Sequence, residues 1–356
     1  MSGMWGNKIK ISIFGESHGN AIGINIDGLE SGFPIDLDRI SEEMKRRAPG
    51  RNDLSTPRKE ADEPEILSGF FEGRTTGTPL CAIIRNNNTK SKDYSKLKDI
   101  MRPGHADYTG KIRYDGFNDY RGGGHFSGRI TAPLVFAGAI CKQILESKGI
   151  KIVSHIKSIG MVEDKSFLDC AITEEFINSY KTKDLPLLDD SLDEKMRKEV
   201  LDAKRDLDSV GGTIECAVLG IEPGIGNPFF DSVESTLAHL MFSVPAVKGI
   251  EFGKGFELSK MRGSKANDEM YFEGDKVLTR TNNNGGILGG ISNGMPIVFK
   301  VAIKPTSSIL KTQNTVNVKT MEDTLLEVNG RHDPCIVQRA LPVIEAATAI
   351  GILDLL

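Results

Sequence analysis

The sequence predicts an α+β fold, and three observations carry that reading. Stretches with strand periodicity mostly follow one another, as at 8–14 and 22–26, while helical stretches are fewer and do not alternate regularly with them. No repeat of about 20–50 residues recurs, and the doublets Gly285-Gly286-Ile287 and Gly289-Gly290-Ile291 echo each other only locally. The chain has 356 residues, 39% hydrophobic and 26% charged, with a net charge of −4. That is a globular composition, long enough to bury a sizeable core.

Lys8–Phe14 alternates and reads as a strand, as does Ile22–Ile26, with the polar, glycine-flanked break GESHGN between them. Over Asp36–Arg47, Leu37, Ile40 and Met44 recur at helical spacing, with Asp36 or Asp38 as cap and a basic end at Lys45-Arg46-Arg47. Residues 48–66 are polar and proline-containing and read as a long loop; Leu80–Ile84 reads as a strand. Residues 85–125 have little periodicity and much Gly, Asn, Asp, Arg and His. So long a non-periodic stretch is more often functional than filler. Thr131–Ser147 reads as a helix with Thr131 as cap, Pro133 in the first turn and Gly149 as stop. Ile152–Ile159 alternates as a strand. Ser191–Asp208 is a charged amphipathic helix opening on the capping box Ser191-x-x-Glu194. Thr213–Ile221 is a strand, Glu234–Phe242 a short helix, 249–281 a mixture of short strands and loop, and Pro296–Ala302 a strand. Asp333–Leu356 reads as an apolar helix with Asp333 as cap, Pro334 at its first position and a kink at Pro342. Residues 1–356 are expected to form one domain with long loops at about 48–66, 85–125 and 303–332.

The near-neutral charge argues against a nucleic-acid partner, since duplex-DNA binders carry a basic excess. The five cysteines (Cys81, Cys141, Cys170, Cys216, Cys335) are odd in number and far apart, without a C-x-x-C. They fit neither a disulfide framework nor a zinc ribbon, and point to a reducing cytoplasmic setting with no metal site. The opening MSGMWGNKIKISIFG lacks the apolar core of a signal peptide. No apolar run approaches the roughly 18 residues of a membrane span, and VIEAATAIGIL is short and carries Glu345. P-loop, Rossmann, H-E-x-x-H and G-x-S-x-G patterns are absent.

Five unusual clusters remain. Gly15-Glu16-Ser17-His18-Gly19 sits between two strands; a Ser-His pair there can bind an oxyanion and supply a proton, or be a polar turn. Arg102-Pro103-Gly104-His105-Ala106-Asp107 is the second. The third, Arg121 through three glycines to His125-Phe126-Ser127-Gly128-Arg129, runs into the helix at Thr131. Successive glycines let backbone N–H groups converge on an anion, and a helix N-terminus adds positive potential. Lys304-Pro305-Thr306-Ser307-Ser308 has a phosphate-binding composition, although Ser/Thr turns are common. Arg331-His332-Asp333-Pro334-Cys335 opens the last helix; Asp-Pro is an ordinary cap pair, but Arg331 can still hold a phosphate or carboxylate bidentately. Together these suggest an enzyme acting on a small anionic, phosphorylated substrate, with histidines as proton donors.

In this order, GESHG, RPGHADYT, DYRGGG-x-x-S-x-R, SVPAVKG, GGILGG, KPTSS and GRHDPC resemble the chorismate synthase family, from about residue 8 to the C-terminus. The resemblance implies helices sandwiched between antiparallel β-sheets, a homotetramer, and a lyase. That lyase converts 5-enolpyruvylshikimate-3-phosphate to chorismate by 1,4-anti elimination of phosphate, with reduced FMN. It implies His18 at the substrate phosphate, His105 near flavin N1 and Asp333 working with flavin N5 at the C6 proton. Ser17 and Ser127 would complete the polar lining, and Arg47, Arg129 and Arg331 would clamp phosphate and carboxylates. FMN would be held by His125, Phe126, Ser127, Pro245, Ala246, Gly289, Lys304, Pro305, Thr306, Ser307, Ser308 and Arg331. Two departures stand out. His125-Phe126 replaces a more usual polar pair, and the second arginine expected a few residues after Arg51 is shifted or missing. Arg47 is the position where NADPH, as a possible source of reductant, would be contacted. The departure after Arg51 favours an external flavin reductase instead. Against the lyase stand a non-catalytic flavin-binding protein, which has no need of His18, His105 and Asp333, and a flavin oxidoreductase, which would reduce its substrate.

Overall fold

Two antiparallel five-stranded sheets face each other across a layer of helices. The computed structural model describes residues 3–50, 54–55, 62–87, 97–328 and 332–356. The first sheet contains β1 (Met4–Trp5), β2 (Lys10–Gly15), β3 (Ala21–Asp27), β4 (Pro64–Ser68) and β7 (Leu80–Arg85), in the order β1-β2-β3-β7-β4. A ribbon of β5 (Phe70–Phe71) and β6 (Arg74–Thr75) lies between β4 and β7 in the chain. The second sheet contains β8 (Lys151–Ile159), β9 (Val162–Glu163), β10 (Gly212–Leu219), β11 (Val247–Phe252) and β16 (Ile297–Ile303), in the order β11-β16-β10-β8-β9. Three more ribbons pair β12 (Met270–Glu273) with β13 (Lys276–Thr279), β14 (Ile287–Leu288) with β15 (Ile291–Ser292), and β17 (Gln313–Asn317) with β18 (Glu322–Leu326). The expected α+β class is observed.

Between the sheets lie α1 (Leu37–Arg47), α3 (Thr131–Ser147), α6 (Val233–Ser243) and α8 (Val337–Leu355). Outside this layer are α2 (Asp107–Arg113), α4 (Glu174–Ser179), α5 (Asp193–Arg205) and α7 (Gly263–Ala266). Strand periodicity turns Ile22, Ile24 and Ile26 of β3 into the layer, where α3 packs on β3 and β7 from one side and on β8 from the other. α3 and α8 approach closely because Gly138 has no Cβ, which would stand 2.2 Å from that of Ala346. Gly128–Ser147 is apolar and long enough to cross a membrane, but it is the buried central helix of this sandwich.

A buried ion network locks α1 into the layer. Arg46 forks onto Glu345 of α8 at 2.8 and 2.9 Å and reaches Glu43 at 2.6 Å. Lys142 of α3 pairs with both carboxylates, and Ser154 of β8 donates to Glu345. Burial pushes the Glu345 carboxyl up, yet Arg46 and Lys142 outweigh it and hold it at about 2. This fixes the end of α1 and with it Arg47, the last residue of the helix.

Asp36 caps α1 as expected, accepting from the Asp38 and Arg39 amides. Other boundaries differ. Before α3 runs a 3-10 turn, Gly128–Ile130, capped by the Ser127 hydroxyl, so Thr131 bonds back to the Gly128 carbonyl at 2.7 Å instead of capping. α5 starts after a turn capped by Asp189, and Ser191 donates to Asp189 rather than boxing with Glu194. α8 begins at Val337, leaving Asp333 outside it, and runs unbroken across Pro342. The non-periodic 85–125 stretch contains α2 and a 3-10 turn at Arg121–Phe126, and β4 begins inside the expected 48–66 loop.

Candidate active site

The triple glycine is the wall on which two histidines rest. Gly122, Gly123 and Gly124 have φ of 59°, 83° and 55°, the left-handed region that side chains avoid. A Cβ on Gly122 would lie 2.6 Å from His18 Nε2 and 3.0 Å from Ser17 Oγ, and one on Gly123 would lie 3.2 Å from His105 Nε2. The bare backbone therefore lets one imidazole pack against each of two adjacent glycines. The turn carrying Ser17 and His18 is anchored to the same wall: the Ser17 amide donates to the Gly124 carbonyl at 3.1 Å.

His105 belongs to a tight group. Asp107 accepts Nε and Nη2 of Arg102, each at 2.7 Å, and its Oδ1 lies 2.7 Å from His105 Nδ1. Burial raises the Asp107 carboxyl, but hydrogen bonds from Arg102 and His105 win and hold it well below the usual carboxylate range. Arg102 Nη1 also donates to Ser308 Oγ at 3.1 Å. Lys304 Nζ and Ser307 Oγ both donate to the Gly104 carbonyl, so the Lys304–Ser308 loop closes over the Gly104-His105 turn. The Lys304 amide donates to the Ala246 carbonyl at 2.9 Å, which brings Pro245-Ala246 alongside. Burial and the nearby Lys248 lower the Lys304 ammonium.

A second group lies at the end of α1. Arg47 and Arg129 share the carboxylate of Asp62, with Nη1–Oδ2 at 2.6 Å and Nη1–Oδ1 at 2.7 Å. Burial pushes Asp62 up, and the two guanidiniums outweigh it and hold it down. Arg47 also donates to Thr131 Oγ1 and the Gly128 carbonyl, and Arg129 to Asn86 and the Arg85 carbonyl. The expected anion clamp is thus a buried lattice that one carboxylate half-neutralises. Asp333 pairs with Arg339 of α8, whose Nε reaches the Arg47 carbonyl at 3.1 Å, tying Asp333 to the same group.

The sequence-identified residues are therefore brought together with exceptions. Ser127 caps the turn into α3, His125 Nδ1 lies 2.8 Å from the Gly15 carbonyl, and Phe126 packs on Gly110 of α2 and on Tyr114. Pro305 packs against Gly211. Thr306 Oγ1 and His332 Nε2 are buried without a hydrogen-bond partner. Gly289 forms the turn between β14 and β15, beside the loop entering α6, with no described contact to the histidine group. Arg331 lies outside the described residues. Asp62, Asp107, Arg339 and His332 had been given no role. Asp107 had a signal in its spacing to Arg102 and His105, whereas Asp62 and Arg339 had none, because their partners are distant in sequence.

The Chorismate synthase family profile matches residues 9–356. The chain is 47% identical over 362 residues to the chorismate synthase of Methanocaldococcus jannaschii, covering 99% of this chain and 95% of that protein. It is 45% identical over 351 residues to that of Thermococcus kodakarensis, covering 99% and 96%. A crystal structure of a chorismate synthase is similar at a TM-score of 0.75 and 30% identity, covering 99% of this chain and 92% of its own.

Proposed function

The chain belongs to the chorismate synthase family, whose members are carbon–oxygen lyases acting on phosphates, and from that premise we propose that it makes chorismate from 5-enolpyruvylshikimate-3-phosphate with reduced FMN as cofactor. The observation that carries the reading is the pair of imidazoles, His18 and His105, resting on adjacent glycines of one turn. In the 1,4-anti elimination the C–O bond to phosphate and the C6–H bond break, and the C–H electron pair ends in the new double bond, so nothing is oxidised overall. His18 supplies a proton to the departing phosphate. His105 would hold a proton at Nε2 for the bound flavin, and Asp333 would take part in removing the C6 proton. Arg47 and Arg129, with Arg331, provide positive charge for the phosphate and carboxylates.

The residues present fit a flavin mononucleotide. Thr306 Oγ1 and His332 Nε2 are buried polar atoms lacking partners, Lys304 is a cation beside hydroxyls, and the glycine wall has no side chains of its own. Reduced FMN held by these residues would supply electron density to the substrate. The same reading has an external flavin reductase providing the reduced cofactor, rather than NADPH bound at Arg47. It also places the enzyme in the cytoplasm as a homotetramer. The adjacent, exposed rings of Phe229 and Phe230 are apolar surface that an assembly of copies would cover.

Anaerobic protein with dithionite-reduced FMN is expected to release phosphate from the enolpyruvyl substrate. His105→Ala and Asp333→Asn should lower turnover about a hundredfold or more while FMN affinity changes little. Equal losses of turnover and FMN affinity would overturn the assigned roles.

A further inference from the structure

We propose that Asp107 is a positioning residue that fixes the tautomer and orientation of His105; the inference rests on the proposed role of His105 as a proton-holding group. The ring is held from both sides. Asp107 Oδ1 stands 2.7 Å from Nδ1, and Gly123 lies against the opposite edge, where an added Cβ would be 3.2 Å from Nε2 and Cε1. A neutral imidazole carries one N–H, and a carboxylate is acceptor-only, so the hydrogen must be on Nδ1.

Arg102 Nη2 is also 3.1 Å from Nδ1. It cannot donate there once Nδ1 carries a hydrogen, and the shorter contact to the charged acceptor prevails. Arg102 acts instead on Asp107. It grips both carboxylate oxygens with Nε and Nη2, and its own backbone amide donates to Oδ2 at 3.1 Å. The carboxylate is only 5% exposed in its side chain, so it cannot swing away from His105. Lys304 and Ser307 fasten the Gly104 carbonyl immediately before His105. The backbone, the carboxylate and the glycine wall together leave Nε2 as the nitrogen available to ligands.

The consequence is directional. A proton acquired from solvent is held at Nε2 and passed to the bound ligands, leaving the neutral Nδ1–H ring; Asp107 stays ionised throughout. Without Asp107 the ring is free to take the other tautomer, with its hydrogen already on Nε2 and its lone pair facing Arg102.

Nitrogen-15 NMR of the FMN-bound full chain, with His105 assigned by its loss in His105→Gln, tests this directly. Wild-type His105 is expected as the Nδ1–H tautomer, and Asp107→Asn should shift it toward Nε2–H. In the same variant turnover should fall about a hundredfold while substrate KM and FMN affinity stay within about threefold. An Nε2–H tautomer in the wild type would overturn the inference, as would Asp107→Asn turnover within about threefold of wild type. The wild-type spectrum decides the question even if the variant fails to fold. Absence of phosphate release by the wild type would refute the proposed reaction, not the tautomer.

Discussion

Gly122→Ala puts a methyl group where His18 already stands, 2.4 Å from Cδ2 and 2.6 Å from Nε2. Restoring an ordinary 3.4 Å contact with Cδ2, the nearer atom, moves the ring by about 1.0 Å. A displacement of about 1 Å at a reacting group costs about a hundredfold in rate. The substitution also holds alanine at φ +59°, and a left-handed residue costs about 1–2 kcal/mol. Gly116→Ala separates the two effects. Gly116 has φ +78° with nothing within 4 Å of an added Cβ, so it carries the backbone penalty without the clash. Both variants should melt about 1–3 °C lower, because a chain of 356 residues loses only roughly 1–1.5 °C per kcal/mol. Only Gly122→Ala should lose turnover, by about a hundredfold, with Gly116→Ala within about twofold of wild type. Phosphate release and thermal melts measure both. Wild-type turnover in Gly122→Ala, or equal losses in the two variants, would refute the claim that the glycine wall exists to seat His18.

The buried network makes a pH-dependent prediction. Arg46 and Lys142 outweigh burial and hold the Glu345 carboxyl well below its ordinary 4.5, so its ionisation contributes stability that is complete above about pH 4.5 and is lost as pH falls through the depressed folded value. Glu345→Gln should remove that contribution at pH 7, lowering the urea midpoint, and should narrow the gap between wild type and variant at pH 2; a gap constant with pH would contradict it. Asp62→Asn strips the shared carboxylate from Arg47 and Arg129 and should destabilise by about 3–5 kcal/mol. Because its folded carboxyl is held below the usual range, this loss too should shrink as acid protonates Asp62 in the wild type. Unchanged denaturation curves at neutral pH would show that the two arginines do not depend on it.

Elements with strong local signals were legible in the sequence. Ile22, Ile24 and Ile26 alternate because one face of β3 is buried, and α1 announces itself through Asp36 and its basic end. The start of α8 was misread because Asp333-Pro334 is a good cap pair locally, whereas the Asp333 carboxylate is taken by Arg339. Long-range electrostatics override the local preference there, whereas at Thr131 a local 3-10 turn capped by Ser127 takes over the start of the helix. The histidines and the glycine triplet could be singled out by composition, but not their contact, since His18 and Gly122 are far apart in the chain. The same holds for Asp62, whose role appears only when β4 and the entry to α3 are side by side.

The central claim is a redox-neutral elimination at the histidine-lined glycine wall. The most direct test is an anaerobic count of chorismate formed, phosphate released and reduced FMN oxidised over many turnovers. The account predicts equal chorismate and phosphate with no net oxidation of the flavin. One flavin oxidised for each phosphate released would contradict it and make the protein an oxidoreductase.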